Sequence, residues 1–275
     1  MRQMEPSTEE PVEHRFLDEA GDTTFFGQGH RLILGENGVS LAFIIGMLKV
    51  NAPLQELREA VRTAQRAIEA DTYVNRIPSV AKKIAKGGFH FHAKDDPAEV
   101  REVFFKLINS HAVTFEAVVA RKIPGIFLRK HHEKESEFFA DLLSHLIKNK
   151  LSQPGRLVLN VSHRANSTSN VNLQLALDKA TGRASRKEAK PAFQRSVVFN
   201  VQNPIQEPLL SVADYCCWAV QRVFERGETR YYDFLGDRIR LVVDLYDEAN
   251  YTGSKHYYRD NNRLTSKNKL SPQSA

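Results

Sequence analysis

The stretch Phe16-Leu17-Asp18-Glu19-Ala20-Gly21-Asp22 limits what this chain can fold into more than any other. Two apolar residues run straight into two acids, and a third acid follows after Ala-Gly. A buried carboxylate without a partner costs several kcal/mol unless a cation, a proton or a dense hydrogen-bond shell compensates. The stretch is therefore either a hairpin strand whose polar turn is solvated, or the acidic edge of a site. The second reading requires another acid, from elsewhere in the chain, to converge on it.

Composition narrows the class of protein. With 275 residues, 41% hydrophobic and 26% charged, the chain is long enough to bury a full core without covalent staples. Cys216 and Cys217 are the only cysteines and are adjacent, so there is neither a disulfide framework nor a C-x-x-C knuckle. A reducing compartment, the cytoplasm, is expected. The longest apolar run, Leu41 to Val50, is too short to span a bilayer, and the polar, acidic start is no secretory signal. No membrane partner is expected. A net charge of +6 and a pI of about 9.2 favour a polyanionic partner, with nucleic acid the usual one.

Taken in order, residues 1–14 read as a flexible arm. Phe16 to Glu19, Arg31 to Leu34 and Val39 to Ile45 read as three strands. The Gly35-Glu36-Asn37-Gly38 segment between the last two supplies a hairpin signal, so the domain is expected to open with a three-stranded antiparallel meander. A helical insertion follows around 53–110. Leu54, Leu57, Val61, Ala64 and Ile68 recur at helical spacing, Pro78 to Lys86 forms a short helix, and Asp96 and Pro97 suit the N-cap and first turn of a helix over 99–109. Beyond it come strands over 113–120, 156–162 and 196–201, helices over 133–151 and 209–226, a polar segment over 166–179 turning helical, and a basic loop over 181–195. The tail, 250–275, is polar and basic and is expected to be flexible. This alternation predicts one α/β domain over 15–249, a mixed sheet flanked by helices.

The acid that answers Asp18 is Asp214. In Leu209-Leu210-Ser211-Val212-Ala213-Asp214-Tyr215-Cys216-Cys217-Trp218, its helical neighbours are mostly apolar, so it projects from a face that packs inward. A buried structural aspartate and a functional one are equally consistent with that placement. An acid on the first strand paired with one on a late helix suits two-metal phosphodiester cleavage. Magnesium takes few protein oxygens and keeps water and phosphate oxygens as further ligands.

Phe16 to Asp22 also resembles the Asp-Glu-Ser-Gly-Asp opening of a bacterial and phage family called domain of unknown function 3800. Leu209 to Trp218 resembles its closing segment, and His92-Ala93-Lys94-Asp95-Asp96-Pro97 its middle His-Ala motif. The likeness runs from about residue 15 to 235 and keeps the order of the motifs. It implies a ribonuclease H-like fold in which the antiparallel meander is continued by parallel strands. It also implies that Asp18 and Asp214 share magnesium or manganese. Glu19 and Asp22 match the opening motif, although alternation sends Glu19 to the face opposite Asp18. Ala20 stands where the family usually has serine. His92 becomes a candidate through the middle motif. Active members of the fold carry a further acid at the end of the central parallel strand. Here that strand reads Val118-Val119-Ala120-Arg121-Lys122, the next ends Ser162-His163-Arg164, and Glu116 lies mid-strand.

Three basic segments remain, at 129–132, 162–170 and 181–187. Arg164, Arg183, Arg186 and Lys187 are their candidates for nucleic-acid phosphates. The leading expectation is a metal-dependent nuclease with Asp18 and Asp214 as ligands and catalytic groups, Asp22 as a further ligand, and Glu19 and His92 as participants. The alternative is an inactive nucleic-acid- or protein-binding subunit, as in a phage-defence or mobile-element system, motivated by the missing third acid. Hydrolysis of a small phosphorylated molecule lacks support, since Gly87-Gly88 is no phosphate-cradling loop.

Overall fold

Phe16 and Leu17 are both buried, one on each face of the same strand, so that strand has to lie inside a sheet covered on both sides. The structure, a computed structural model, describes residues 10–163, 168–187 and 195–271, with the side chains of Arg186 and Lys187 excepted. In chain order it holds β1 (Val12–Ala20), β2 (Ala42–Val50), α1 (Leu54–Ala70), α2 (Pro78–Ala85), α3 (Ala98–Asn109), β3 (Val113–Arg121), α4 (Pro124–His131) and α5 (Glu135–Ile147). It continues with β4 (Arg156–Ser162), α6 (Asn170–Lys187), β5 (Ser196–Gln202), α7 (Leu209–Arg226), α8 (Arg230–Leu235), β6 (Ile239–Asp244) and β7 (Tyr257–Tyr258).

The seven strands form one mixed sheet in the order β5-β4-β1-β2-β3-β6-β7. β1, β2 and β3 pair antiparallel. β4 joins β1 in parallel, β5 joins β4 in parallel, and β6 runs parallel to β3. One face is covered by α1, α2, α3, α7 and α8 and the other by α4, α5 and α6, which gives two apolar layers. No helix among the described residues is long and apolar enough to cross a membrane.

Several expectations change. Arg31 to Leu34 is not a strand. Residues 21–41 form a long connection that makes only a single bridge, Phe26 to Leu32. The Asn-Gly turn exists, with Asn37 and Gly38 both at positive φ, but at the tip of this connection. Four residues with Arg at one end do not bury enough to extend the sheet, and the third antiparallel strand is instead β3, which starts only at Val113. The strand over 113–120 is therefore the edge of the antiparallel set, and the parallel neighbour of β1 is β4.

The expected basic loop is helical as far as Lys187, because Leu173, Ala176 and Ala180 bury one side of α6 against α5. The segment over 129–132 is the end of α4 and its cap, where His131 is buried. The tail packs through Ser271. Leu264 enters the core, Tyr258 is buried in β7, and the Leu270 N–H donates to the Phe224 carbonyl at 2.7 Å. At the other end β1 already starts at Val12, inside the expected arm.

Candidate nucleolytic cleft

The position of α7 is set by one residue of β2. A Cβ on Gly46 would lie 2.1 Å from Phe115 Cζ and 2.7 Å from Cys217 Sγ, so only glycine lets the helix lie this close to β2 and β3. Cys217 then donates its Sγ–H to the Asp18 carbonyl at 3.1 Å. Burial, reinforced by the charge of Asp18, pushes the Cys217 thiol well above its ordinary range, so it stays protonated and can donate. The middle of α7 is thus tied to the acidic end of β1.

The other side of α7 grips the segment Phe89 to Asp96. Ser211 Oγ donates to the Phe91 carbonyl (2.8 Å), Asp214 Oδ2 accepts the Ala93 N–H (2.7 Å), and Tyr215 Oη donates to Asp96 Oδ2 (2.6 Å). Positions 211, 214 and 215 share one helix face through their i, i+3 and i+4 spacing. Asp96 is the hub. It also accepts the His92 N–H at 2.8 Å and the Lys83 ammonium at 2.6 Å. Asp96 is therefore not the N-cap of α3. The cap position is Pro97, and no side chain caps that helix. The Asp96 carboxylate bends the segment so that the Ala93 amide points at Asp214.

These ties open a cleft of about 1020 Å³ at the C-terminal end of β1, in which Asp18, Asp214 and His92 all take part. Asp214 is buried, and burial raises its carboxyl pKa against the opposing His92 charge and the Ala93 amide. Among the described residues, no Lys or Arg side chain hydrogen-bonds to it. His92 is half-exposed, with Nδ1 3.2 Å from an Asp95 carboxylate oxygen. Glu19, expected on the opposite face, also borders the cleft, one residue before β1 ends. Its N–H donates to Asp18 Oδ1 at 2.8 Å.

Asp22 has another task. Its Oδ1 accepts the Lys122 ammonium (2.7 Å) and the Thr24 N–H (3.0 Å), and its Oδ2 accepts the Ser40 N–H (2.7 Å). Burial works against its charge, but Lys122 and Ser40 outweigh it and hold the carboxyl below its usual range. Asp22 staples the base of the 21–41 connection. Glu225 does the same from α7, accepting the N–H groups of Leu41 (2.7 Å) and Ala42 (2.9 Å).

The third acid does not appear. β4, the true parallel neighbour of β1, ends at Ser162 and His163, both of which line the cleft. Glu116 pairs with Lys150 at 2.8 Å, away from the site. Among the described residues, no group of three or more His, Cys, Asp or Glu side chains is arranged to hold a metal ion.

The basic candidates fall elsewhere. Arg183 binds Asp141 and Ser144 on the opposite face of the sheet, where Lys130 and His131 also meet Asp141. That carboxylate is held far below its usual range because these partners outweigh its burial. Arg183 is therefore occupied by a structural network. Arg164 lies outside the described residues. Arg186 and Lys187 end α6, and their side chains are outside them as well.

Two features of the cleft have no counterpart in the sequence reading. His90 lines it, with burial depressing its pKa. So does a basic rim in which Lys94, Arg226 and Lys269 take part. The polar positions Ser211, Asp214 and Tyr215, on an otherwise apolar helix, were the available signal for the Asp96 hub.

No family model, curated protein or solved structure matches this chain.

Proposed function

We propose that the cleft is a divalent-cation-dependent phosphodiesterase site acting on nucleic acid and built on a ribonuclease H-like sheet. The observation that carries this is the meeting of Asp18, from the end of the first strand, and Asp214, from a late helix, in one cleft. The three segments that resemble domain of unknown function 3800 all border this cleft, through Asp18, His92 and Asp214. The sheet supports the fold reading through its three antiparallel strands and the addition of β4 and β5 in parallel beside β1.

The donor set suits a hard cation that takes two carboxylates and completes its shell with water and phosphate oxygens. Burial raises the Asp214 carboxyl pKa, and a bound cation would oppose that shift. When bound, magnesium or manganese would supply activation of a water and stabilisation of the leaving oxygen. The chain's own part is positioning. Ala93 fixes one oxygen of Asp214 and leaves the other to the cleft. Cys217 fixes the backbone of Asp18. The half-exposed imidazole of His92 can hold a proton at Nε2 while Asp95 faces Nδ1.

Asp18→Asn and Asp214→Asn should each lower magnesium- or manganese-dependent cleavage at least 100-fold with the fold intact by circular dichroism. Wild-type protein that leaves single-stranded, duplex, branched and hybrid substrates uncut in both metals sinks the proposal. One observation favours a second reading, a binding subunit without activity: the end of β4 offers Ser162 and His163 where a third acid would stand. Calorimetry that finds no magnesium or manganese binding, together with salt-sensitive nucleic-acid binding, selects it.

A further inference from the structure

The cleft does not end at the acids. It follows α7 from Asp214 past Trp218 and Arg222 to Arg226. At 1.5 Å per residue, the twelve steps from Asp214 to Arg226 span about 18 Å. Glycine ends the helix there. Gly227 is left-handed, with φ +70°, and a Cβ on it would lie 3.4 Å from Lys269 Cβ. The chain's C-terminal segment thus crosses the end of α7 and sets Lys269 beside Arg226.

The charges at this end are of two kinds. Arg222 is neutralised by Glu228, with its Nε 2.7 Å from the carboxylate, and it also covers the Trp218 ring. Arg226 and Lys269 have no side-chain hydrogen bond or ion pair among the described residues, and both are exposed along the cleft. Glu225, the acid next to Arg226 in sequence, has its carboxylate turned to the Leu41 and Ala42 amides. The groove is therefore polarised, with carboxylates at one end and two uncompensated cations at the other. A polyanion whose reacting phosphate sits at the acids would meet these cations further along its backbone.

We infer that Arg226 and Lys269 form a phosphate-backbone subsite for single-stranded nucleic acid, which runs along α7 from the acidic end. This rests on the reading of the cleft as a nucleic-acid site. A cleft of about 1020 Å³ is of the size that takes a drug-sized ligand, which a few nucleotides of one strand match and a duplex exceeds. The C-terminal segment, which composition marked only as a basic tail, becomes part of the binding surface.

The test is binding, measured with EDTA present so that cleavage plays no part. A fluorescein-labelled ten-nucleotide single strand is titrated into wild-type protein, the double variant Arg226→Ala/Lys269→Ala, and Arg129→Ala, an exposed arginine outside the cleft. Each phosphate contact on a single strand contributes about 0.7 to the slope of log K against log salt. The double variant should bind more weakly and lose about 1.4 from that slope, while Arg129→Ala should match wild type. Equal slopes for wild type and the double variant overturn the subsite. So does a wild type that binds no strand at low salt. A duplex of the same sequence that binds as tightly, and loses as much in the double variant, overturns the single-strand assignment. Wild type that binds with the expected slope but cuts nothing in magnesium or manganese keeps the subsite and removes the proposed cleavage.

Discussion

Asp244 shows how burial and charge compete at one side chain. It is fully buried at the end of β6, and Arg121 Nε lies 2.8 Å from its Oδ2. The same guanidinium also serves Asp247, at 2.7 Å. One cation shared between two buried acids does not offset the desolvation, and burial pushes the Asp244 carboxyl up to about 6. A folded-state pKa raised above the ordinary 3.8 means that the protonated group favours the fold. That stability is complete below about pH 4 and is lost as pH rises through about 6, a loss of about 3 kcal/mol at 1.36 kcal/mol per unit. Asp22 and Asp141, whose carboxyls are lowered, act only at more acidic pH and in the opposite sense. Between pH 4 and 7 the urea-unfolding stability of wild type should fall relative to that of Asp244→Asn, a difference that cancels the depressed imidazoles of His14, His90 and His145, whose contribution rises with pH over the same window. An unchanged pH profile in that variant would place the titration elsewhere.

Among the elements, α7 organises the molecule, and Gly46 is the residue that admits it. Gly46→Ala inserts a methyl against the Phe115 ring and Cys217, so it should cost at least about 1–3 kcal/mol. Phe115→Leu opens space at the same place. In a double-mutant cycle the two losses should therefore sum to less than the separate costs. Strict additivity would mean that α7 shifts as a body instead. The helix itself was readable from the chain, because Leu209 to Val220 is apolar on nearly every side with one inward aspartate. What it grips was not readable. The Asp96 carboxylate accepts from the Lys83 ammonium, the His92 N–H and the Tyr215 hydroxyl, and a segment more than a hundred residues from α7 leaves no periodic trace of that contact in the sequence.

At the scale of the whole molecule, the prediction concerns the cation. A ligand that binds only the folded state stabilises it by about 2.7 kcal/mol at one hundred times its Kd, roughly 5–10 °C in Tm for a chain of this size. Manganese should produce such a shift in wild type, and Asp18→Asn or Asp214→Asn should abolish it. Asp22→Asn should lower Tm with and without the metal while leaving the shift, since Asp22 serves Lys122 and Ser40. A manganese shift of equal size in Asp18→Asn and Asp214→Asn would move the metal out of the cleft.

The sequence by itself determined the α/β class, strands β1, β3, β4 and β5, helices α1, α2, α3, α5 and α7, and the pairing of Asp18 with Asp214 as the residues to watch. These rest on local periodicity and on the cost of placing an acid next to apolar residues, and both are properties of neighbours in the chain. Tertiary structure alone decided the rest. It made β3 rather than Arg31 to Leu34 the third antiparallel strand, turned Asp22 into a staple, and occupied Arg183 with Asp141. It also brought Lys269 to the end of α7. Each of these depends on which distant group supplies the compensating charge or hydrogen bond. The opening acidic stretch therefore announced a site, but only the fold showed that Asp18 faces the cleft while Asp22 holds its wall.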